Sequence, residues 1–291
     1  MNEFERLKPV WLHVSTVLNE AVTSVRPLSS NQFSEKFQAQ TQRGTYFVKV
    51  SSNFECLESE HQGLAVLDNS NSIRVPKPIY VGMAANRGIL VTEYLELDSS
   101  GRSYSRLATE LIKLHRTTGF QFGWSRDNFL GGSRQINTPL DFWPEFFQTC
   151  RLRYQIDLAF ANGYRGAIYA LCGNILEAIP FILGEHDPEP SLVHGDLWSG
   201  NCGFCDGVPV IFDPAVYYGD RETDLAMMRL FGGFPERVYR EYDAAWELPE
   251  GWELRQKVYA LYHILNHLNL FGAIYFDSAE LLMRDILKSL D

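Results

Sequence analysis

Residues 194–201 read H-G-D-L-W-S-G-N, and Asp213 follows shortly after them. Within this stretch Asp196 precedes Asn201 by five positions, and Asp213 comes twelve positions after Asn201. The pair D-G at residues 206–207 is a typical two-residue turn signal between two short β-forming runs. The stretch therefore predicts a hairpin that brings Asn201 and Asp213 back together.

This spacing suits the transfer of a phosphoryl group. Such a reaction asks for a carboxylate near the attacking hydroxyl and for oxygen ligands that hold a metal ion beside ATP. Asp196 is predicted to face the hydroxyl, and Asn201 and Asp213 are predicted to supply oxygen ligands to Mg²⁺. The alternative is a purely structural loop, because His, Gly, Asp and Asn are common in turns. The match at three positions favours the chemical interpretation.

The composition is that of a globular enzyme with two lobes. The 291 residues are 45% hydrophobic and 21% charged, which is enough for a large core. A formal net charge of -10 argues against a nucleic-acid partner, which would need a concentrated basic face. The first residues, M-N-E-F-E-R-L-K-P, lack a signal-peptide pattern, and no apolar run predicts a membrane span. Because an odd number of cysteines, 5, also fits a reducing compartment, we expect a cytoplasmic location.

The N-terminal part alternates β-forming and helical patterns. Residues 45–50 and 88–94 are rich in β-forming side chains, and a charged helical pattern lies between them at residues 54–67. The polar, Gly/Ser-rich residues 97–103 read as a connector. This order predicts a strand, a helix and further strands in a small lobe.

The rest of the chain is predominantly helical in pattern. Thr138 and Pro139 look like a cap followed by proline at the first helical position, which predicts a helix that ends near Gly163. Apolar residues repeat at helical spacing after Gly251, which predicts a second helix that faces a core. The fold class is therefore α+β, with a larger, mostly helical second lobe.

The boundary between the lobes is predicted where the strand pattern ends. Residues 1–95 are expected to form a nucleotide-binding lobe, with a hinge at about 93–97, and residues 96–291 a catalytic and acceptor-binding lobe. At the hinge, the backbone carbonyl of Glu93 and the backbone N–H of Leu95 are expected to pair with the adenine edge.

A phosphate-binding cation is predicted in the small lobe. Lys49 lies in the strand pattern with the apolar neighbours typical of a kinase strand lysine. Glu60, in the following helical pattern, is the expected ion-pair partner that fixes the direction of the lysine. Taken alone, Lys49 could equally be a solvated strand lysine, and the downstream motif favours the phosphate-binding interpretation.

Several longer phrases resemble the fructosamine kinase family, also called ketosamine 3-kinases. The most specific are H-G-D-L-W-S-G-N at residues 194–201 and D-P-A-V-Y-Y-G at residues 213–219. Further similar stretches lie at residues 54–64, 73–78, 123–152, 230–234 and 261–272. The resemblance therefore covers nearly the whole chain.

The resemblance implies a bilobal protein-kinase-like fold whose small lobe has an antiparallel sheet and a helix. It also implies ATP-dependent phosphorylation of the sugar 3-hydroxyl of a ketosamine, either free or on a glycated protein. The phosphorylated adduct is unstable, so the implied outcome is deglycation. By the same resemblance Asp196 is catalytic, Asn201 and Asp213 bind magnesium, and Lys49 with Glu60 positions the phosphates.

Two side chains near the motif are candidate acceptor contacts. Trp198, two residues past Asp196, could lay its ring against the apolar face of a sugar, or it could pack in the protein. Asp220 could line the acceptor site, or it could cap a helix that begins near Thr223.

One stretch departs from the family. Where the family has glycines between the first two strands, residues 29–34 are S-S-N-Q-F-S. Glycine lets backbone N–H groups approach phosphates closely and adopts positive φ. Asn31 tolerates the left-handed region and the Ser30 hydroxyl can donate, so these two residues are predicted to contact the nucleotide instead.

Two alternatives to a ketosamine kinase stay open from the sequence. One is a related phosphotransferase that acts on an aminoglycoside or a choline-like amine, since an acidic chain suits these cations equally well. The other is a catalytically silent nucleotide-binding protein, which the glycine-poor loop suggests and the intact set of catalytic residues disfavours.

Overall fold

The computed structural model describes residues 3–97 and 101–290, so that residues 98–100 of the predicted connector lie outside the described part. The chain divides into two compact units, Met1–Ser103 with Gly203–Asp213, and Tyr104–Cys202 with Pro214–Asp291. The lobe boundary near residue 95 and the roles given to the two lobes stay predictions.

The first unit is built around a sheet. Its elements are α1 (Glu3–Arg6), α2 (Lys8–Leu18), β1 (Ser24–Ser30), β2 (Glu35–Gln40), β3 (Thr45–Ser51), α3 (Phe54–Asn69), β4 (Pro78–Ala84) and β5 (Arg87–Glu93). Within residues 3–97, five strands form an antiparallel sheet in the order β1-β2-β3-β5-β4. The predicted strands at 45–50 and 88–94 and the predicted helix at 54–67 are confirmed as β3, β5 and α3.

The two faces of β3 have different environments. Val48 and Val50 are buried in one apolar cluster with Trp11 of α2. Successive side chains of a strand point to opposite faces. Lys49 therefore lies on the other face, where its ammonium reaches Glu60 of α3.

The second part of the chain is mostly helical. It continues with α4 (Tyr104–His115), β6 (Asn128–Leu130), β7 (Ser133–Gln135), α5 (Trp143–Phe146), a π-helical segment (Phe147–Arg153), α6 (Tyr154–Ala161), α7 (Ala167–Leu183), β8 (Ser191–Val193), a 3₁₀ turn (Ser199–Asn201), β9 (Cys202–Cys205), β10 (Val208–Ile211), β11 (Tyr217–Gly219), α8 (Glu222–Leu230), α9 (Glu236–Ala245), α10 (Trp252–Phe271), a 3₁₀ turn (Ala273–Tyr275) and α11 (Phe276–Lys288). The α+β fold class, with a strand-rich first part and a helical remainder, is confirmed.

The predicted hairpin is present as β9 and β10. The two residues that connect them, Asp206 and Gly207, have φ values of 52° and 75°. Positive φ at both central residues is what a type I′ turn needs, and it is why an Asp-Gly pair is favoured there.

The helix predicted to start at Pro139 starts later. The first helical residue is Trp143, with Pro144 in the first turn. Leu140 instead pairs with Phe122 through both backbone groups, with N···O distances of 3.0 and 2.9 Å. The earlier Thr138-Pro139 signal was wrong because this backbone pairing holds the preceding segment extended.

Helix α10 confirms the prediction made for the segment after Gly251. Val258, Leu261, Leu265 and Leu268 of this helix are fully buried in the core of the second unit. In the ranges 3–97 and 101–290, no helix combines the length and the apolar character needed to cross a membrane.

Candidate active site

In the first unit, Lys49 and Glu60 form the predicted ion pair. The Lys49 Nζ atom lies 2.6 Å from Glu60 Oε2, and Lys49 is only 5% exposed. The same ammonium lies 2.9 Å from Asp213 Oδ1. Burial alone would lower the pKa of Lys49, but the carboxylates of Asp213 and Glu60 raise it above its ordinary value. The lysine is therefore ionised and fixed in direction by two acids.

Asp213 directly follows the hairpin and is held by two lysines. Its Oδ2 atom accepts a hydrogen bond from Lys36 Nζ at 3.0 Å, while Oδ1 accepts from Lys49. Burial alone would raise the pKa of the Asp213 carboxyl, but the two ammonium groups hold it well below its usual range. Its φ of 56° lies in the left-handed region, which is uncommon for a residue other than glycine.

Sequence reasoning missed Lys36. It belongs to β2, and its Cα lies directly opposite that of Lys49 on β3. Only the pairing register of the two strands shows this neighbour relation, so the sequence alone carries no strong signal for it.

Three of these charged residues, Lys36, Glu60 and Asp213, line a cavity of about 300 Å³ in the first unit. Apolar side chains form most of its walls, namely Leu28, Phe47, Leu64, Pro76, Leu97, Val210 and Phe212. The predicted hinge residues Glu93 and Leu95 also line it. A mostly apolar cavity with a few polar groups at one end is the usual form of a small-molecule site.

Both backbone groups of Glu93 already have partners. Its carbonyl accepts from the Thr92 hydroxyl at 3.1 Å, and its N–H donates to the Lys77 carbonyl at 2.9 Å. Its carboxylate binds Arg74 at 2.9 Å. Because a carbonyl oxygen has two lone pairs, the Glu93 carbonyl keeps the capacity for a second donor.

The loop between β1 and β2 is closed by its own hydrogen bonds. The Asn31 side-chain oxygen accepts from the backbone N–H groups of Phe33 and Ser34 at 2.9 and 2.8 Å. The Asn31 N–H donates to the Ser34 carbonyl at 3.0 Å. Asn31 does not adopt positive φ, so its predicted tolerance of the left-handed region is not used. Nucleotide contacts by Ser30 and Asn31 stay predictions.

In the second unit, the H-G-D-L-W-S-G-N motif of residues 194–201 forms a compact loop. The Asn201 amide Nδ2 donates to the Asp196 backbone carbonyl at 2.9 Å and to Asp196 Oδ2 at 3.1 Å. The 3₁₀ turn Ser199–Asn201 bends the chain so that these two side chains meet. With its nitrogen turned to Asp196, the amide offers its oxygen as the atom for a metal ion.

The carboxylate of Asp224, in α8, holds the backbone of this loop in place. It is 1% exposed, and its carboxylate accepts from the backbone N–H groups of His194 and Gly195 at 2.7 and 2.9 Å. His115 Nε2 lies 3.2 Å from the same carboxylate. Burial alone would raise the pKa of Asp224, but these hydrogen bonds and the His115 ring lower it.

Gly195 is required at its position. Its φ is 80°, and a Cβ atom built there would lie 2.1 Å from the Ala215 carbonyl oxygen. No side chain fits such a distance, so glycine lets the chain pass Ala215 just before Asp196. Sequence reasoning did not identify Asp224, because an acid in the first turn of a helix is usually explained by the helix dipole.

Trp198 lies at the surface of the second unit and is 37% exposed. Its ring meets Phe231 edge-on at a centroid distance of 6.2 Å. A Cβ atom on Gly200 would lie 2.2 Å from the ring, so the small residue leaves room for it. The partly exposed ring fits the acceptor-contact interpretation, which stays a prediction.

Asp220 is buried, and its contacts fit the capping interpretation. It is 1% exposed, and its Oδ1 atom accepts from the Glu222 N–H at 2.9 Å, at the start of α8. Its Oδ2 atom binds His186 at 2.7 Å and the Tyr259 hydroxyl at 2.6 Å. His186, Asp220 and Glu222 also form the one group of metal-ligand type found in the described part of the chain. Arg255 binds Glu222 through two hydrogen bonds of 2.9 and 2.7 Å, so these acids are already paired within the protein.

Comparisons with known proteins identify the family of the chain. A model of the fructosamine kinase family matches residues 9–289. A protein assigned as a ketoamine kinase in Synechocystis sp. is 41% identical over 248 residues, which cover 84% of this chain and 83% of that protein. A crystal structure assigned to a fructosamine-3-kinase from Haemophilus somnus has a TM-score of 0.88 at 28% identity, with 98% of this chain and 100% of that chain covered.

A more distant structure shares the fold alone. It is an aminoglycoside phosphotransferase in a ternary complex with ADP and hygromycin B, with a TM-score of 0.69 at 15% identity over 96% of this chain and 98% of that chain. The kinase-like fold predicted from the sequence is thus confirmed, and the matches at higher identity do not favour the aminoglycoside alternative. The family match spans nearly all of the sequence, and the chain belongs to the fructosamine kinase family.

Proposed function

We propose that this chain transfers the γ-phosphoryl group of ATP to the 3-hydroxyl of a ketosamine sugar, with Mg²⁺ as its metal ion. The observation that carries the proposal is the hydrogen-bonded pair of Asp196 and Asn201 in a loop that Asp224 fixes from within the unit. A carboxylate held in a fixed direction is what an attacking hydroxyl needs, because positioning supplies most of the catalysis in phosphoryl transfer.

Asp196 has the role of general base. Its carboxylate orients the sugar hydroxyl and accepts its proton as the new O–P bond forms and ADP leaves. Lys49, held by Glu60, has the role of binding the nucleotide phosphates. Two acids keep its ammonium charged and directed before the nucleotide arrives.

The donor set of Asn201 and Asp213 fits magnesium. Mg²⁺ prefers carboxylate and other oxygen ligands and keeps several of its waters, so one carboxylate and one amide oxygen suffice. When bound, the ion neutralises negative charge that develops on the phosphate oxygens. The low pKa of Asp213 keeps this carboxylate ionised and ready to act as a ligand.

The apolar cavity of the first unit is the proposed adenine site. Its walls provide apolar contact, and Glu93 and Leu95 line it, so their backbone carbonyl and N–H are the proposed partners of the adenine edge. The acceptor is a ketosamine, free or attached to a protein, and Trp198 provides an apolar surface for its sugar. Loss of the unstable phosphorylated sugar would then release the amine, which makes deglycation the biological outcome.

An acceptor screen tests this function. The purified chain is incubated with Mg²⁺ and ATP in the presence of fructosyl-lysine, ribulosyl-lysine, an aminoglycoside or choline, and ADP formation is followed. We expect ADP only with the ketosamines, and phosphorus NMR should place the new phosphate on the 3-oxygen. ADP formation with the aminoglycoside or choline alone would favour a related phosphotransferase. Nucleotide binding without transfer to any acceptor would favour a silent protein.

A further inference from the structure

We propose that Lys36 is a second phosphate-binding cation, which takes the place of the backbone amides of a glycine-rich loop. The inference rests on the proposed function, since it needs a nucleoside triphosphate as the ligand of the first unit. It assigns Lys36 to the same phosphate end of the cavity as Lys49 and gives it a distinct part in recognising the length of the phosphate chain.

The position of Lys36 is the first observation. Lys36 and Lys49 are directly paired across β2 and β3, so both side chains extend from the same face of the sheet. Lys36 lines the cavity together with Glu60 and Asp213, and Lys49 contacts both of these acids. The Lys36 side chain is 24% exposed, whereas that of Lys49 is 7% exposed. Lys36 is thus the more accessible of the two ammonium groups.

The charge balance around Asp213 is the second observation. Like charges directly opposite each other on neighbouring strands repel. Here the Asp213 carboxylate offsets that repulsion, because one of its oxygens binds each ammonium, at 3.0 and 2.9 Å. If Asp213 shares its charge with a metal ion, Lys36 loses part of its ion pair with this carboxylate. A phosphate oxygen is then the anion that restores the balance.

The state of the loop between β1 and β2 is the third observation. The amide N–H groups of Asn31, Phe33 and Ser34 are used within the loop. A phosphate-binding loop instead directs such N–H groups at the ligand. Ser29, at the start of this loop, is paired with Lys36 itself. The amide N–H groups are thus already hydrogen-bonded within the loop. The Lys36 ammonium beside it therefore supplies the positive charge that the phosphates need.

A phosphate contact by Lys36 predicts how the affinity depends on the number of phosphates in the ligand. Lys36 should stabilise bound ligands in proportion to their phosphate charge and contribute nothing to the adenosine part. A charge-assisted hydrogen bond of an ammonium to phosphate is among the stronger polar contacts, so its loss should weaken triphosphate binding by at least about tenfold.

Calorimetric titration tests whether Lys36 contributes to the affinity for the phosphates alone. Adenosine, ADP and the non-hydrolysable triphosphate AMP-PNP are titrated into the wild type and the variants Lys36→Gln, Lys36→Arg and Lys8→Gln. Lys8 is an exposed lysine of α2, so its replacement removes the same charge from the same unit away from the cavity. We expect Lys36→Gln to lose at least about tenfold in AMP-PNP affinity while adenosine affinity stays within about twofold. Lys36→Arg and Lys8→Gln should both stay near the wild type.

A Lys36→Gln change made in an Asp213→Asn background separates a direct contact from an effect through Asp213. A direct phosphate contact predicts that the loss of AMP-PNP affinity persists in this background. Equal affinity of Lys36→Gln and wild type, equal losses for adenosine and AMP-PNP, or a loss that vanishes with Asp213→Asn would each overturn the inference. Failure to phosphorylate ketosamines with intact, Lys36-dependent AMP-PNP binding would overturn only the acceptor assignment, whereas a wild type that binds no nucleotide would overturn both.

Discussion

Single charged residues prepare the site before any ligand is bound. Lys49 binds two acids, and Asp213 binds two lysines, so each charge lies beside opposite charge in a buried setting. Buried ions without such partners carry a large desolvation penalty. The mutual pairing therefore keeps the proposed phosphate-binding cation and the proposed metal ligand ionised at neutral pH.

Replacement of Asp196 by asparagine tests the general base. The amide keeps the size of the side chain and its contact with Asn201, but it cannot accept the proton of the sugar hydroxyl. We expect the kcat for ketosamine phosphorylation to fall by at least about a hundredfold, while nucleotide affinity and the melting temperature stay close to the wild type. Steady-state kinetics and calorimetry measure these quantities.

The control for this experiment is Asp187→Asn, which removes one exposed carboxylate from the same unit. It should retain full turnover. A folded Asp196→Asn protein that also retained turnover would contradict the assignment of Asp196 as the general base.

At the scale of elements, α8 and α10 support the catalytic loop. Helix α8 carries Asp224, which binds the loop backbone, and it packs against α10. The hairpin of β9 and β10 ends at Ile211, two residues before Asp213. Regular elements thus anchor the loop that carries the proposed catalytic residues, and such anchoring fixes a geometry more rigidly than a mobile loop would.

Replacement of Asp224 by asparagine should loosen the loop. The Asp224 carboxylate uses one oxygen for each N–H group of His194 and Gly195. An amide has only one oxygen, so its NH₂ group would face the second N–H group. We expect a loss of about 1–3 kcal/mol in the free energy of unfolding, from the unsatisfied buried groups. We also expect kcat to fall by about tenfold or more with a smaller change in KM for ATP, because the loop misplaces Asp196.

Asp277→Asn is the matched control, since Asp277 also lies in the first turn of a helix but is exposed. An Asp224→Asn enzyme with unchanged kcat would contradict a positioning role for Asp224, even if its stability were lower.

His263 of α10 should make the stability of the protein depend on pH. Burial, aided by the neighbouring His267, lowers the pKa of His263 to about 3 from an ordinary 6.5. The unfolded chain therefore takes up a proton below pH 6.5 that the folded protein does not bind. The free energy of unfolding should fall with decreasing pH by up to about 1.4 kcal/mol per pH unit through this group.

The comparison of wild type and His263→Gln checks this expectation. Melting temperatures are measured between about pH 7.5 and 5. The wild type should lose stability more steeply than the variant as the pH falls. Parallel slopes would contradict the buried, neutral state of His263, whatever the absolute stabilities are.

At the scale of the whole molecule, nucleotide binding should stabilise the fold. The first unit has an apolar cavity that ends in preorganised charges, and a ligand that binds only the folded state stabilises it by mass action. With Mg²⁺ and ATP at about a hundredfold above Kd, the gain is about 2.7 kcal/mol. We expect the melting temperature to rise by several degrees, and Mg²⁺ alone serves as the control.

Removal of magnesium should separate binding from transfer. With EDTA in place of Mg²⁺, ketosamine phosphorylation should stop, and addition of excess Mg²⁺ should restore it. Transfer that continued in EDTA would contradict the proposed role of Asn201 and Asp213. A thermal shift with Mg²⁺ and ATP that is accompanied by no transfer to any acceptor would favour the silent nucleotide-binding alternative.

The sequence by itself determined the features that depend on short stretches of chain. The D-G pair at residues 206–207 predicted the hairpin, because few residues adopt positive φ at both turn positions. Apolar spacing predicted α3 and α10, and the positions of Lys49 and Glu60 predicted their ion pair. These features follow from local backbone preferences and from the fixed geometry of strands and helices.

Only the tertiary structure decided which distant groups meet. Lys36 reaches Asp213 from 177 positions away, and Asp224 binds a loop that precedes it by about thirty residues. It also decided that the Asp220 carboxylate lies in a buried network at the start of α8 and that residues near Pro139 stay extended. The physical reason is that such partners are selected by strand register and by burial of the whole chain, which short-range preferences do not encode.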